Sequence, residues 1–311
     1  MKTLRQHLQQ YLQLRRRLGF KLRDAGSMLS KFVRFAQRQH ATFVTTQLAL
    51  RWATQPVDCH PALWTTRLSR VRQFARYVSA VDPRTEIPPH GLLPHRYRRK
   101  PPYLYSDQEV RALIAAAQQL PSPRHLRGAT YATLFGLLAA TGLRVGEALG
   151  LDRADVDLAQ ALLTVRQTKG NKARLVPLHP STNQALRRYE RLRDRVCPRP
   201  QSPRFFLSER GGALTYWIVR YWFIQVSRQI GLRQPADRHG PRIHELRHRF
   251  SIRTLVHWYR TGQDVEAHLP ELATYLGHGH VTDTYWYLSA TPELLHWATR
   301  RWLRQEGGNR L

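Results

Sequence analysis

The stretch from Ile87 to Pro102 packs five prolines and four Arg or Lys residues into sixteen positions, and it limits the fold of this chain more than any other feature. Proline has no amide hydrogen to give a helix or a central strand and holds its own φ fixed, so the segment stays extended. The chain is thereby divided into a front part, residues 1–87, a basic proline-rich linker, residues 88–103, and a larger part, residues 104–311. The front part reads as a small helical bundle. Leu4, Leu8, Tyr11 and Leu12 make one helical stripe, and Leu29, Phe32, Val33 and Ala36 the next. A third helix is expected around Leu48 to Ala53. A fourth opens near Pro61 with Trp64, Leu68, Val71, Ala75 and Val78 facing inward and Arg67, Arg70, Arg72 and Arg76 facing outward.

The outward arginines belong to a larger imbalance: 50 Lys and Arg against 21 Asp and Glu, a formal net charge of +29. A field of that size calls for a polyanionic partner, which on charge alone is DNA, RNA or an anionic membrane. No run of about 18 apolar residues is present, so a membrane-spanning helix is not expected. The two cysteines, Cys59 and Cys197, are too few and too far apart for a disulfide framework or a cysteine-based zinc site. A soluble protein of a reducing compartment, the cytoplasm, is the expectation. Arg67, Arg70 and Arg76, with Arg98, Arg99 and Lys100 of the linker, are the candidate phosphate contacts.

Beyond the linker, Ser106-Asp107-Gln108-Glu109 forms a helix capping box with Val110, Leu113, Ile114 and Ala117 as the buried stripe behind it. Helices at about 128–140 and 144–151 flank Thr141-Gly142. Leu162–Val165 and Leu175–Leu178 then read as a β-hairpin with its turn at Gly170-Asn171. The remainder is helical. The expected fold is therefore mainly α with a small β-sheet, a helical domain followed by an α+β domain.

Four clusters in the larger part carry chemistry: Thr141-Gly142-Leu143-Arg144-Val145-Gly146-Glu147, Thr168-Lys169-Gly170-Asn171-Lys172, His244-Glu245-Leu246-Arg247-His248, and Leu276-Gly277-His278 followed nine residues later by Tyr287. In this order they resemble the tyrosine recombinases, the phage integrases and Xer-type resolvases. The resemblance covers roughly residues 104–300. It implies a helical core-binding domain and a catalytic domain that clamp opposite sides of duplex DNA, four protomers on two sites, and no metal, ATP or other cofactor. It also implies Tyr287 as nucleophile, Lys169 as general acid and His244 as an aid to proton transfer at the tyrosine. Lys172 competes for the acid role; Lys169 precedes the turn glycine, as the family's lysine does. The stretch Thr284-Tyr285-Trp286-Tyr287-Leu288 is more like recombinases of mobile elements than housekeeping resolvases.

The same chemistry follows from the residues. A phosphodiester in transfer gathers negative charge on its non-bridging oxygens, and fixed cations must meet it. Arg144 and Arg247 supply charge-assisted hydrogen bonds, and His278 a further donor. Glu147, three residues after Arg144, offers that arginine an ion pair that orients it. His278 stands at a glycine break, which lets the chain fold back and bring Tyr287 to the same pocket. Tyr285 lies two positions too early. A C-terminal amphipathic helix from Leu294 is expected to dock on a neighbouring protomer, with packing on its own domain as the alternative.

Three rivals remain. His244-Glu245-Leu246-Arg247-His248 also spells the zinc protease motif H-E-x-x-H, but Arg247 puts a fixed positive charge between the two ligands. A type IB topoisomerase and a non-catalytic DNA-binding protein of the same fold are the others.

Overall fold

The computed structural model describes residues 2–93, 101–166, 173–237, 240–289 and 292–307. It divides into two compact units, Met1–Lys100 and Pro101–Leu311. In the first unit, α1 (Leu4–Arg17) starts at a capping box in which Thr3 and Gln6 satisfy each other's backbone amides. It is followed by α2 (Arg23–Arg38), α3 (Thr46–Thr54) and α4 (Pro61–Ser79). The apolar stripes meet in one core: Leu29, Phe32, Trp52, Leu68, Val71 and Phe74 are all but fully buried. Each such side chain contributes about 1.5–3 kcal/mol through its removal from water.

The arginines of α4 differ from expectation. Arg67 is half-buried, with its guanidinium 3.8 Å above the Trp52 ring and its Nη2 donating to the Trp52 carbonyl. Arg72 donates to the carbonyls of Pro88 and Pro89 and so fastens the start of the proline-rich stretch. Both are turned inward because α3 and the Pro88-Pro89 backbone offer them an aromatic face and carbonyl acceptors. Arg76 is exposed and Arg70 half-buried.

In the second unit the helix predicted at about 128–140 becomes α6, and it is the centre of the fold. The Ser106 capping box opens α5 (Asp107–Gln118), which packs on α6 (Leu126–Thr141); Leu126, Leu134 and Phe135 of α6 are fully buried. A helix apolar on nearly all sides must be surrounded, and α6 packs against α5, α8 (Pro180–Val196) and α10 (Glu245–Arg260). Between α6 and α8 lie α7 (Val145–Gly150) and an antiparallel sheet of order β1-β2-β3: β1 (Val156–Asp157), β2 (Leu162–Val165) and β3 (Arg174–Pro177). The two-residue β1 was not visible in the sequence pattern. Lys169, Lys172 and the hairpin turn lie outside the described residues, as do Arg98, Arg99 and Lys100.

After α9 (Tyr216–Gln229), α10 is tied to the start of the unit: Arg249 donates to the Tyr105 carbonyl at 2.8 Å, and Arg249 and Arg253 share the Asp107 carboxylate. Then come α11 (Val265–Leu276), a turn, α12 (Thr282–Tyr285), a 3₁₀ turn over Trp286–Ser289 and α13 (Pro292–Gly307). The C-terminal helix packs on its own unit. Leu294 is buried with Ile252 and Leu255, Arg260 pairs with Glu293 at 2.7 Å, and α10 is its main neighbour. None of the described helices is long and apolar enough to cross a membrane.

Candidate active site

Three of the four sequence clusters meet around Glu147. Gly142 ends α6 in the left-handed region (φ +63°), where a Cβ would lie 2.6 Å from the Phe250 ring. The chain turns there and Arg144 becomes the residue before α7. Its Nη1 donates to Glu147 Oε1 at 2.7 Å, its amide to Glu147 Oε2 at 2.9 Å, and its Nη2 to the Gly277 carbonyl at 3.0 Å. Glu147 also receives Nη1 and Nη2 of Arg174, at 3.1 and 2.8 Å, while Arg174 Nε donates to the Tyr275 carbonyl at 2.7 Å. The motif alone did not reveal Arg174. The sheet register does: Val165 pairs with Arg174 and Leu163 with Val176, so Arg174 shares the inward face of β3 while Leu175 points to solvent.

Burial pushes the Glu147 carboxyl up. The hydrogen bonds from Arg174 and the Arg144 amide, with the two guanidinium charges, outweigh that and hold it below the usual carboxylate range. A depressed carboxyl gives stability that is complete above its unfolded pKa of about 4.3 and is lost as pH falls through the folded value. Glu147→Gln is therefore expected to cost about 3 kcal/mol at pH 7, where it leaves two guanidinium groups unbalanced. The gap between parent and variant in chemical denaturation should then shrink below about pH 4. A gap constant from pH 7 to pH 3 contradicts this role for Glu147.

Arg247, on the first turn of α10, is 2% exposed; its Nη1 donates to the Gly142 carbonyl at 2.8 Å and its Nη2 to the Leu276 carbonyl at 2.7 Å. It thus links the two glycine turns that carry Arg144 and His278. Burial and the neighbouring Arg144 push its pKa down to about 10, so it remains a cation at neutral pH. Among the described residues Arg144, Arg174 and Arg247 stand against one carboxylate, that of Glu147, and the surplus charge is a ready receptor for an anion.

The fourth cluster arrives through Gly277, which ends α11 at φ +68°; a Cβ there would lie 2.6 Å from the Arg174 guanidinium. His278 Nδ1 is 2.7 Å from the Thr284 hydroxyl, which fixes the ring, and the ring lies parallel to Tyr287 with centroids 6.2 Å apart. Tyr287 itself sits in the 3₁₀ turn rather than on a full helix; it is 2% exposed and its hydroxyl is 3.0 Å from His248 Nδ1. Tyr285 is 50% exposed. His244 is exposed at the head of α10, its ring edge-on to His248 at 4.8 Å. His248 was noted in the sequence only as a possible zinc ligand. Here His248 faces a tyrosine, and Glu245 is engaged by Arg242 at 3.0 Å. Among the described residues no group of His, Cys, Asp or Glu is arranged to hold a metal.

A mainly helical unit that brings together three arginines, three histidines and a buried tyrosine defines a class, and comparison with known proteins agrees. The chain belongs to the phage integrase family, whose sequence pattern matches residues 103–293. It is a site-specific DNA recombinase of the tyrosine type. A Sinorhizobium fredii chain called integrase/recombinase y4rB is 49% identical over 305 residues, 97% of each chain. The tyrosine recombinase XerD of Caulobacter vibrioides is 31% identical over 238 residues, 76% of this chain and 73% of that one. Among solved structures, a lambda integrase tetramer bound to a Holliday junction superposes with a TM-score of 0.59 at 18% identity, over 91% of this chain and 79% of that one, a likeness of fold.

Proposed function

We propose that this recombinase breaks and rejoins duplex DNA through a 3′-phosphotyrosyl link on Tyr287, in the integration or transposition of a mobile element. The observation that carries the reading is the burial of Arg247 beside Arg144 within the fold that also holds Tyr287 and His278. A buried cation without a full counter-charge is unfavourable until an anion arrives, and a phosphate in transfer carries the most charge at its transition state. Arg144 and Arg247 bind the non-bridging oxygens, His278 adds a donor, and Lys169 protonates the departing 5′-oxygen, with Lys172 the competing acid. His244 assists proton movement at the tyrosine. The energy of the broken phosphodiester is kept in the phosphotyrosine, so rejoining needs no external energy source.

Residues 1–87 form the core-binding half of a DNA clamp, residues 88–103 its linker and residues 104–311 the catalytic half. Arg70, Arg76, Arg98, Arg99 and Lys100 contact the DNA backbone, and Arg67 contributes only as far as its stacking on Trp52 permits. Four protomers assemble on two DNA sites in the cytoplasm; the lambda integrase tetramer on its junction supports that arrangement.

The test incubates the protein with two duplexes taken from the genomic flanks of its gene. Recombinant joints are expected. Relaxation of supercoiled DNA without joints favours a topoisomerase, and binding without covalent adduct a non-catalytic DNA-binding protein.

A further inference from the structure

Tyr287 must lose a proton as it attacks, and the side chain in contact with its hydroxyl is none of the residues assigned to that step from the motifs. His248 Nδ1 stands 3.0 Å from Tyr287 Oη, both residues are less than a tenth exposed, and the two rings are 5.5 Å apart. Trp286 stands edge-on to His248 at 5.4 Å. His244 lies behind His248 on the same helix, one turn earlier, at 4.8 Å. An imidazole is the side chain best matched to taking a proton near neutral pH.

We propose that His248 is a catalytic residue: the immediate proton acceptor of Tyr287, with His244 standing behind it toward solvent. This rests on the phosphotyrosyl reading above. As the bond from Tyr287 Oη to phosphorus forms, the phenol proton passes to His248 Nδ1. The bond from phosphorus to the 5′-oxygen breaks, and that oxygen takes a proton from Lys169. On rejoining, the 5′-hydroxyl returns its proton to the lysine as it attacks, and His248 returns its proton to the released Tyr287. Among the described residues, the charged or titratable groups facing the pair are His244 and Arg247 from α10 and His278 from the turn after α11.

The experiment measures the rate of covalent adduct formation, trapped with detergent, between the full chain and a supercoiled plasmid carrying its gene with both genomic flanks. His248→Asn places an amide acceptor near the Nδ1 position without basicity, and His248→Phe removes the acceptor. Both are expected to slow adduct formation about a hundredfold or more at pH 7. The residual rate should climb as pH rises, because hydroxide then takes the proton that the imidazole no longer takes, with plasmid retention on a filter unchanged. Should the Phe variant not fold, the Asn variant decides alone. Adduct formation by His248→Asn at the parent's rate and with the parent's pH profile overturns the assignment, because holding the hydroxyl is then all that His248 does. Absence of any Tyr287 adduct from the parent chain overturns the phosphotyrosyl reading, and the role of His248 with it.

Discussion

Replacing Arg247 by alanine is expected to lower the rate of covalent cleavage on the order of a thousandfold or more, because a guanidinium proposed to meet the charge of the phosphate in transfer is lost. Stability is expected to move far less, through two opposing contributions. The Gly142 and Leu276 carbonyls lose their donors, at about 1–3 kcal/mol each. Against this, burial and Arg144 hold the Arg247 pKa down to about 10, so the folded state keeps this cation at a cost. Removing a charge that the folded state holds at a cost offsets much of the lost hydrogen bonding. Arg247→Lys is expected to recover little, since an ammonium cannot span two carbonyls and still present a planar pair of donors to a phosphate. Single-turnover adduct formation and chemical denaturation measured on the same preparations separate the two effects. A lysine variant within tenfold of the parent, or an alanine variant that simply unfolds, contradicts this account of Arg247.

The legible part of the site was the part carried by local sequence. Gly142 and Gly277 announce sharp turns, and both occupy the left-handed region with Arg144 and His278 just beyond them. The Arg144–Glu147 pair follows from three-residue spacing, and the structure adds that Glu147 is shared. What the motifs hid depends on contacts between segments far apart. Arg174 turns inward because the β2–β3 register puts it opposite Val165, a fact contained in period-2 alternation but easily passed over when an arginine sits beside a more apolar leucine. His248 meets Tyr287 only because α10 and the 3₁₀ turn pack together, and no spacing along the chain expresses that. Arg67 and Arg72 show the converse error. Helical periodicity placed them on an outward face, but a long side chain reaches back to any aromatic ring or bare carbonyl within about a turn of its stem.

The choice between Tyr285 and Tyr287 is where sequence and structure bear on one atom. Nine-residue spacing from His278 favours Tyr287; in the structure Tyr287 is 2% exposed and lies against His248 and His278, and Tyr285, two residues earlier, is half in solvent. Tyr287→Phe removes one oxygen and its hydrogen bond, so it is expected to cost only about 1 kcal/mol of stability and to leave DNA retention in place while abolishing the covalent adduct. Tyr285→Phe is expected to leave adduct formation within a few fold of the parent. The central claim is tested most directly by trapping the adduct on DNA from the gene's flanks, digesting both polymers and mapping the nucleotide-bearing peptide. The expected result is a single label on Tyr287, attached through a 3′-phosphate and absent from Tyr287→Phe; label on Tyr285, or an adduct that persists in Tyr287→Phe, contradicts it.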